Sequence, residues 1–302
     1  MARSHIAGPL LDDALEVCRS IDSRGWGVTL SPWISPSVHP ARAAALYDAA
    51  LRAIVDECLK SALSIKVPTL DHDRGLLRAL LDQAREGCVQ VRFDALDPAS
   101  AEGALRLVEY AAGYYHNIAC TLPARWKRSL YDLERVIDWG IALRIVKGQW
   151  PDPSAPGIDA DENFRSLVDL TAGRCANVSI ASHDRPLVHE SILKLKRTKT
   201  RCEVEQMFSL PVTIRQLALD LDVPLRIYVP FGSPYLPYNV SMFRTRPAIV
   251  SWVVRDLLMT KEQKIARLLE SHATTHGMPA PPFRYGGKPG ITQEESVLHN
   301  EV

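Results

Sequence analysis

Eight short apolar runs, each followed by a stretch of helical periodicity, predict an α/β fold: a (β/α)8 barrel of the TIM type with additional N- and C-terminal helices. Three observations point there. The runs recur at spacings of roughly 20 to 40 residues, the pace of a strand–helix repeat. Most are short apolar runs without clean alternation, which suits parallel strands covered on both faces. Charged and polar residues collect at their ends, where such a barrel gathers its chemistry. A doubly wound sheet is the alternative arrangement of the same units.

In chain order, a first helix is expected at 10–21. Strands are expected at 27–30, 63–67, 89–93, 117–122, 142–147, 177–182, 202–208 and 225–229. Between them, Tyr47, Leu51, Ile54, Val55 and Cys58 fall on one helical stripe, and Leu76, Leu77, Leu80, Leu81 and Ala84 on another. Asp97-Pro98 and the stretch from Asp159 to Asp161 mark helix starts, because aspartate caps free N–H groups and proline fits a first turn. Ile249, Val250, Val253, Val254 and Leu257 outline a late amphipathic helix, and 262–269 a further one. One domain is expected over 1–272; from 273 to 302 the chain is rich in Pro and Gly and then acidic, which reads as loop or disorder.

The 302 residues suffice for a large core. With 46% hydrophobic and 24% charged residues and a net charge of +1, the chain has a globular make-up and no basic footprint for nucleic acid. Its strongest basic stretch, 194–201, has no interleaved aromatics and reads as a solvated helix end. The six cysteines form no C-x-x-C pair, and several sit in apolar runs, as buried thiols do in a reducing compartment. No apolar run approaches the ~18 residues of a transmembrane segment, and Asp12, Asp13 and Glu16 stand where a signal peptide would be apolar; a cytoplasmic protein is expected.

The expected strand ends carry Lys66, Asp94, Arg125 just past the fourth, Lys147, then His183 with Asp184, Gln206 within the seventh, and Tyr228 with Gly232. The stretch from Arg144 to Trp150 (RIVKGQW) is the most telling. It puts two cations at the mouth of a buried strand, with Arg144 opening it and Lys147 closing it, and Gly148 lets the backbone turn out. A desolvated cation needs a partner, so these residues either form internal salt bridges or face an anionic ligand.

Metal hydrolysis has little support, since there is no H-x-H, no H-E-x-x-H and no carboxylate cluster. No G-x-S-x-G elbow occurs, and without G-x-G-x-x-G a Rossmann-type dinucleotide site is excluded. Lys66 or Lys147 could form a Schiff base, although Asp94 on the neighbouring strand is placed to hold Lys66 as an ammonium ion. A tightly bound anionic cofactor held by Arg144, Lys147 and His183 is the remaining explanation.

These residues resemble motifs of the proline dehydrogenases, FAD-dependent β/α barrels that oxidise proline to a cyclic imine. The resemblance runs from about residue 25 to 258. RIVKGQW is similar to the family's R-L-V-K-G-A-Y, which holds FAD, and IASHD at 180–184 to its A-T-H-D strand, whose histidine contacts the flavin. Ser64-Ile-Lys66 resembles S-x-K, and Arg92-Phe-Asp94 the acidic third strand; in the family this lysine and aspartate pair beside the substrate. Glu205-Gln-Met-Phe208 resembles F-Q-M-L, and LRIYVPFG at 225–232 resembles V-R-V-Y-V-P-Y-G. Each motif alone has low specificity; their shared order carries the resemblance. It implies FAD bound by Arg144, Val146, Lys147, Gly148, His183 and Gln206, and a substrate bordered by Lys66, Asp94 and Tyr228.

The departures fall on the substrate side. Where the family reads P-Y-x-x-R-R-x-x-E-R-P-A-N, this chain keeps Pro237-Tyr238 and Arg246-Pro247-Ala248 at the same spacing. The arginine pair has become Ser241 and Met242, and the glutamate Thr245. In the family the arginines grip proline's carboxylate through bidentate bonds that serine and methionine cannot make. After the fourth strand the family's Q-A-Y has become Pro123-Ala124-Arg125, so a glutamine that approaches the flavin's reactive edge is lost. Arg125, Arg244 and Arg246 are candidates for a relocated cation.

The resemblance thus implies an FAD-dependent oxidoreductase that oxidises a C–N bond of a small amine or imino acid, not free L-proline, by hydride transfer to flavin N5. The electron acceptor is open, a quinone among the candidates. The alternatives are a flavin-free barrel using a strand-end lysine, of lyase or aldolase type, and a non-catalytic relative that binds a ligand or partner protein.

Overall fold

The computed structural model describes residues 6–35, 37–94, 96–209, 213–233 and 260–269. Eight parallel strands close into a barrel in sequence order: β1 (Gly27–Trp33), β2 (Ser61–Lys66), β3 (Val91–Asp94), β4 (Ile118–Pro123), β5 (Ala142–Val146), β6 (Asn177–Ala181), β7 (Arg201–Met207) and β8 (Leu225–Gly232). The last strand pairs with the first from Gly27↔Arg226 to Trp33↔Gly232, so the sheet has no open edge. Each expected strand forms within a few residues of its expected place.

Around the barrel run α2 (Pro40–Asp56), α3 (Arg74–Glu86), α4 (Ala101–Ala112), α5 (Ser129–Asp138), α6 (Ala160–Thr171), α7 (Arg185–Arg197) and α8 (Thr213–Asp220). Helix α1 (Leu11–Asp22) packs on β1 and β8, and α9 (Lys261–Leu269) makes a smaller contact with α1. No described helix is long and apolar enough to cross a membrane. The expected helix at 249–257, the tail at 273–302, and Ser241, Met242, Arg244, Thr245 and Arg246 lie outside the described residues.

Local chemistry sets most helix starts. The Asp73 side chain accepts from the N–H groups of Gly75 (2.7 Å) and Leu76 (3.0 Å), and Asp159 caps α6 through Asp161 (2.8 Å) and Glu162 (3.1 Å). Asp97 is a correction: it accepts from Ser100 N–H (2.9 Å) in the turn ahead of α4, whose first residue is Ala101. The stripe on α2 is also narrower than expected. Tyr47, Leu51 and Ile54 are buried, but Val55 is 39% exposed and Cys58 lies beyond the helix end in a left-handed, exposed conformation. Cys88 is exposed in the same way, while Cys18, Cys120, Cys175 and Cys202 are buried.

The expectation of strands apolar on both faces is corrected as well. Val28, Leu63, Phe93, Ile145, Ile180 and Val204 face the helices, where Leu51, Leu81, Val136, Leu167 and Leu195 meet them. Each such side chain contributes about 1.5–3 kcal/mol by leaving water. Many of the alternate residues, which point into the lumen, are polar, where barrels of this type are ordinarily filled by branched apolar side chains.

At the floor, Arg92 donates from Nη1 to Glu205 Oε2 (2.9 Å) and Ser179 Oγ (3.1 Å), from Nε to Gln90 Oε1 (2.9 Å), and from Nη2 to Glu203. Arg226 Nε is shared by the two Glu203 oxygens (2.9 and 3.0 Å), and its Nη1 reaches Val28 O (2.7 Å). Gly27 makes room for it, since a Cβ there would stand 3.0 Å from Arg226 Cζ. Burial alone would raise the Glu203 carboxyl, but Arg226 and Arg92 outweigh it and bring it down to about 2.

Candidate active site

The C-terminal mouth is built on the register of β2 and β3, which sets Lys66 directly beside Asp94 as the last residue of each strand. Lys66 Nζ donates to Asp94 Oδ2, to Tyr228 OH and to Ser64 Oγ (2.8 Å). Asp94 also accepts from Ser64 Oγ (2.7 Å), Thr121 Oγ1 (2.6 Å), Arg144 Nη1 (3.2 Å) and Tyr228 OH (3.2 Å). The Lys66 and Asp94 side chains are only 8% and 9% exposed, so this cluster is the base of the mouth. Helix α2 steadies it, because Tyr47 OH accepts the Lys66 backbone N–H (3.0 Å).

Tyr228 lies between two cations, with Lys66 Nζ 5.1 Å and Arg144 Cζ 5.0 Å from its ring centroid. Its hydroxyl is 2.7 Å from Ser31 Oγ, so it has an uncharged partner besides Lys66 and Asp94. Burial alone would push the Lys66 ammonium down and the Asp94 carboxyl up. Their mutual attraction, with Tyr228 beside the lysine and Arg144 beside the aspartate, outweighs burial: Lys66 is held above and Asp94 below the ordinary range.

Arg144 lies in the middle of β5 and does not open it, because the strand begins at Ala142. Its Nε donates to Glu205, whose other oxygen accepts from Thr29 Oγ1 (2.9 Å) and Arg92 Nη1 (2.9 Å). Arg144 therefore ties the mouth to the floor, and internal salt bridges are part of its role. They leave a remainder. Four cations in the described lumen (Lys66, Arg92, Arg144, Arg226) face three carboxylates (Asp94, Glu203, Glu205).

The other predicted residues sit on the rim. Val146 ends β5, and Lys147 Nζ pairs with Asp161 and with Asp184 Oδ2 (3.1 Å). Burial would raise the Asp184 carboxyl, but the Leu187 N–H and Lys147 outweigh it and lower it. His183 is exposed beside Asp184 at the end of β6. Gly148 turns at φ +86°, where a Cβ would stand 2.7 Å from Pro123 Cβ. The structure does not bring Gln206 to the mouth. Alternation along β7 turns Glu205 and Met207 inward, and Gln206 is buried on the helix-facing side.

Ser31, Ser64, Thr121 and Glu205 complete the cluster and were not expected as site residues. For all but Thr121 the signal was a polar pair two residues apart within an apolar strand, as in Thr29/Ser31, Ser64/Lys66 and Glu203/Glu205.

The donor set also fits the cofactor that the resemblance implies. Arg144, Lys147, His183 and Gln149 line the β5–β6 side, and Gln149 Nε2 is buried without a hydrogen-bond partner among the described residues. A spare amide donor beside two cations suits a ligand with an electron-rich ring edge and anionic groups.

No protein-family model matches the chain. Over 274 residues it is 23% identical to proline dehydrogenase 1 of Bacillus subtilis subsp. natto, covering 85% of this chain and 90% of that protein; proline dehydrogenase 1 of Bacillus subtilis (strain 168) matches to the same extent. Among solved structures, proline utilization A (PutA) from Bdellovibrio bacteriovorus, inactivated by N-propargylglycine, superposes with a TM-score of 0.68 at 15% identity, over 95% of this chain and 37% of that one. PutA from Corynebacterium freiburgense gives 0.62 at 18% identity, over 89% and 32%. The chain thus spans about a third of the PutA chains, whose likeness concerns the barrel fold. Sequence likeness along nearly the whole of a curated relative, carried on this same barrel, makes the chain similar to the proline dehydrogenases in both sequence and fold.

Proposed function

We propose that the chain is an FAD-dependent oxidoreductase acting on the CH–NH bond of a small amine or imino acid, with free L-proline not its substrate. The observation that carries this is the Lys66–Asp94–Tyr228 cluster at the base of a mouth whose lumen, among the described residues, holds one more cation than carboxylate. The cluster gives a substrate nitrogen an ionised carboxylate to bind, and the surplus charge favours an electron-rich partner beside Arg144.

In this reading Asp94, kept ionised by Lys66 and Arg144, accepts a hydrogen bond from the substrate nitrogen and orients the adjacent carbon. Lys66 fixes Asp94 in place. Tyr228, able to donate or accept at its hydroxyl, borders the pocket and can exchange its proton contact among Asp94, Ser31 and the substrate. Arg144, Lys147, His183 and the turn at Gly148 hold the cofactor; bound FAD supplies the two-electron acceptor for the C–N bond. Discrimination against proline rests on the replaced arginine pair at Ser241 and Met242.

A Schiff-base lyase is the weaker reading. Lys66 is held as an ammonium ion, and Lys147 is tied by ion pairs to Asp161 and Asp184, so neither is placed to attack a carbonyl. The test is the visible spectrum of the purified protein, with acid release of any chromophore, followed by anaerobic addition of an amine and imino-acid panel. Oxidised-flavin bands that bleach with one of these compounds, but not with L-proline, are the expected result. A colourless protein that takes up no added FAD would overturn the proposal.

A further inference from the structure

Three positions at which the chain departs from the family's motifs lie together in the structure. Pro123 and Arg125 replace residues of Q-A-Y, and Gln149 replaces the alanine of R-L-V-K-G-A-Y. They converge on Gly148, whose added Cβ would meet Pro123 Cβ at 2.7 Å and Arg125 Cβ at 3.7 Å. The two gains are both hydrogen-bond donors, one charged and one amide.

This rim is held firmly. Arg125 donates its backbone N–H to Lys147 O (3.0 Å) and its Nε to Gly148 O (2.9 Å). Trp126 Nε1 donates to Trp150 O (3.0 Å), and Asn163 Nδ2 ties down Ala124 O (2.6 Å). A guanidinium anchored through Nε has lost much of its freedom before any ligand arrives, which lowers the entropy cost of binding.

Its charge is nonetheless unmatched. Lys66, Arg144 and Lys147 each have carboxylate partners, whereas Arg125 has none among the described residues, and its terminal nitrogens have no hydrogen-bond partner there. Gln149, next in sequence to the carbonyl that holds Arg125, has its buried Nε2 without a partner. Leaving a buried donor unsatisfied is costly, and a neighbouring cation adds a reason for an anionic oxygen to supply the missing acceptor.

We propose that Arg125 and Gln149 form an anion seat on the β4–β5 rim, which takes a phosphate or carboxylate group. The seat stands on side-chain geometry alone and holds whether or not the redox reading does.

The experiment is calorimetric titration of the full-length protein, at constant ionic strength, with inorganic pyrophosphate and with succinate. Arg125→Met should weaken binding of at least one probe by about tenfold or more, since a bidentate charged contact is lost. Gln149→Leu should weaken the same probe by a smaller factor, and Arg125→Lys should restore part of the loss. A response confined to pyrophosphate assigns the seat to a phosphoryl group, one confined to succinate to a carboxylate, and a response to both to anionic oxygens of either kind. Unaltered binding of both probes by Arg125→Met, or no binding of either by the unsubstituted protein at millimolar concentration, would overturn the proposal. Should Arg125→Met fail to fold, as read from its thermal melt, Gln149→Leu carries the same test.

Discussion

The floor of this barrel and its mouth are furnished with the same kinds of side chain, and they differ in how completely the charges are matched. At the floor, Glu203 sits between Arg92 and Arg226, with Ser179 and Gln90 taking further donors. At the mouth, Asp94 is approached by Lys66, Arg144, Ser64, Thr121 and Tyr228 together, and Arg125 on the rim has no carboxylate among the described residues. A matched network fixes geometry; an unmatched one is a place for a ligand. Arg144 joins the two through Glu205, so the aim of the mouth is set from below.

The sharpest way to break this contrast is Glu203→Leu. It leaves the buried Arg226 without a carboxylate and Arg92 with Glu205 alone, and should cost about 3–5 kcal/mol, read by urea denaturation. A cost below about 1 kcal/mol would mean that the floor is not a closed network. Asp94→Asn acts at the other end. Turnover of the amine substrate should fall by about a hundredfold or more while flavin content stays the same, as measured by stopped-flow bleaching of the purified enzyme.

Acid sharpens the comparison at both ends. The Asp94 and Glu203 carboxyls are lowered in the folded protein, so their stabilising contribution is complete above the ordinary carboxylate value of about 4. It is lost as the pH falls through the folded values, which for Glu203 is about 2. Lys66 is raised, so its contribution is complete below the ordinary lysine value of about 10.4 and is lost only as the pH rises through its folded value above that. Thermal melts should therefore show no transition from these groups between about pH 5 and 9, and a steep loss of stability below about pH 4. The smallest of these effects is Gly148→Ala, where a left-handed backbone and a 2.7 Å approach to Pro123 make a side chain unwelcome. A loss of about 1–3 kcal/mol in denaturant melts is expected, with weaker flavin retention.

Most of the fold was legible because sequence periodicity reads the face that hydrophobicity controls. Most helix-facing residues of each strand, such as Leu63, Ile145 and Ile227, are apolar, and they marked all eight strands. The lumen was harder, since a short strand gives only two or three inward residues, and of the pairs Arg92/Asp94 and Glu203/Glu205 only Asp94 was expected in the site. Gln206 shows the cost of an unfixed phase. A shift of one residue in a strand exchanges its faces, and only the register of β7 against β8 decides that Glu205, not Gln206, looks inward. Lys66 beside Asp94 was legible because both end their strands. The unmatched state of Arg125 was not, since it depends on a backbone carbonyl brought over from β5.

The seam between β1 and β8 has a consequence for how the molecule comes apart. Thr29 on β1 reaches Glu205 on β7, Arg226 on β8 reaches Val28 O on β1, and Arg92 on β3 spans to β6 and β7. Parting one pair of neighbouring strands would wet these cross-lumen contacts together, so no half-open form keeps its charges dry. Backbone amides on all eight strands should then exchange with deuterium at one common slow rate, that of whole-molecule unfolding. A barrel stitched across its own hollow is, in this sense, a single knot with no loose end to pull.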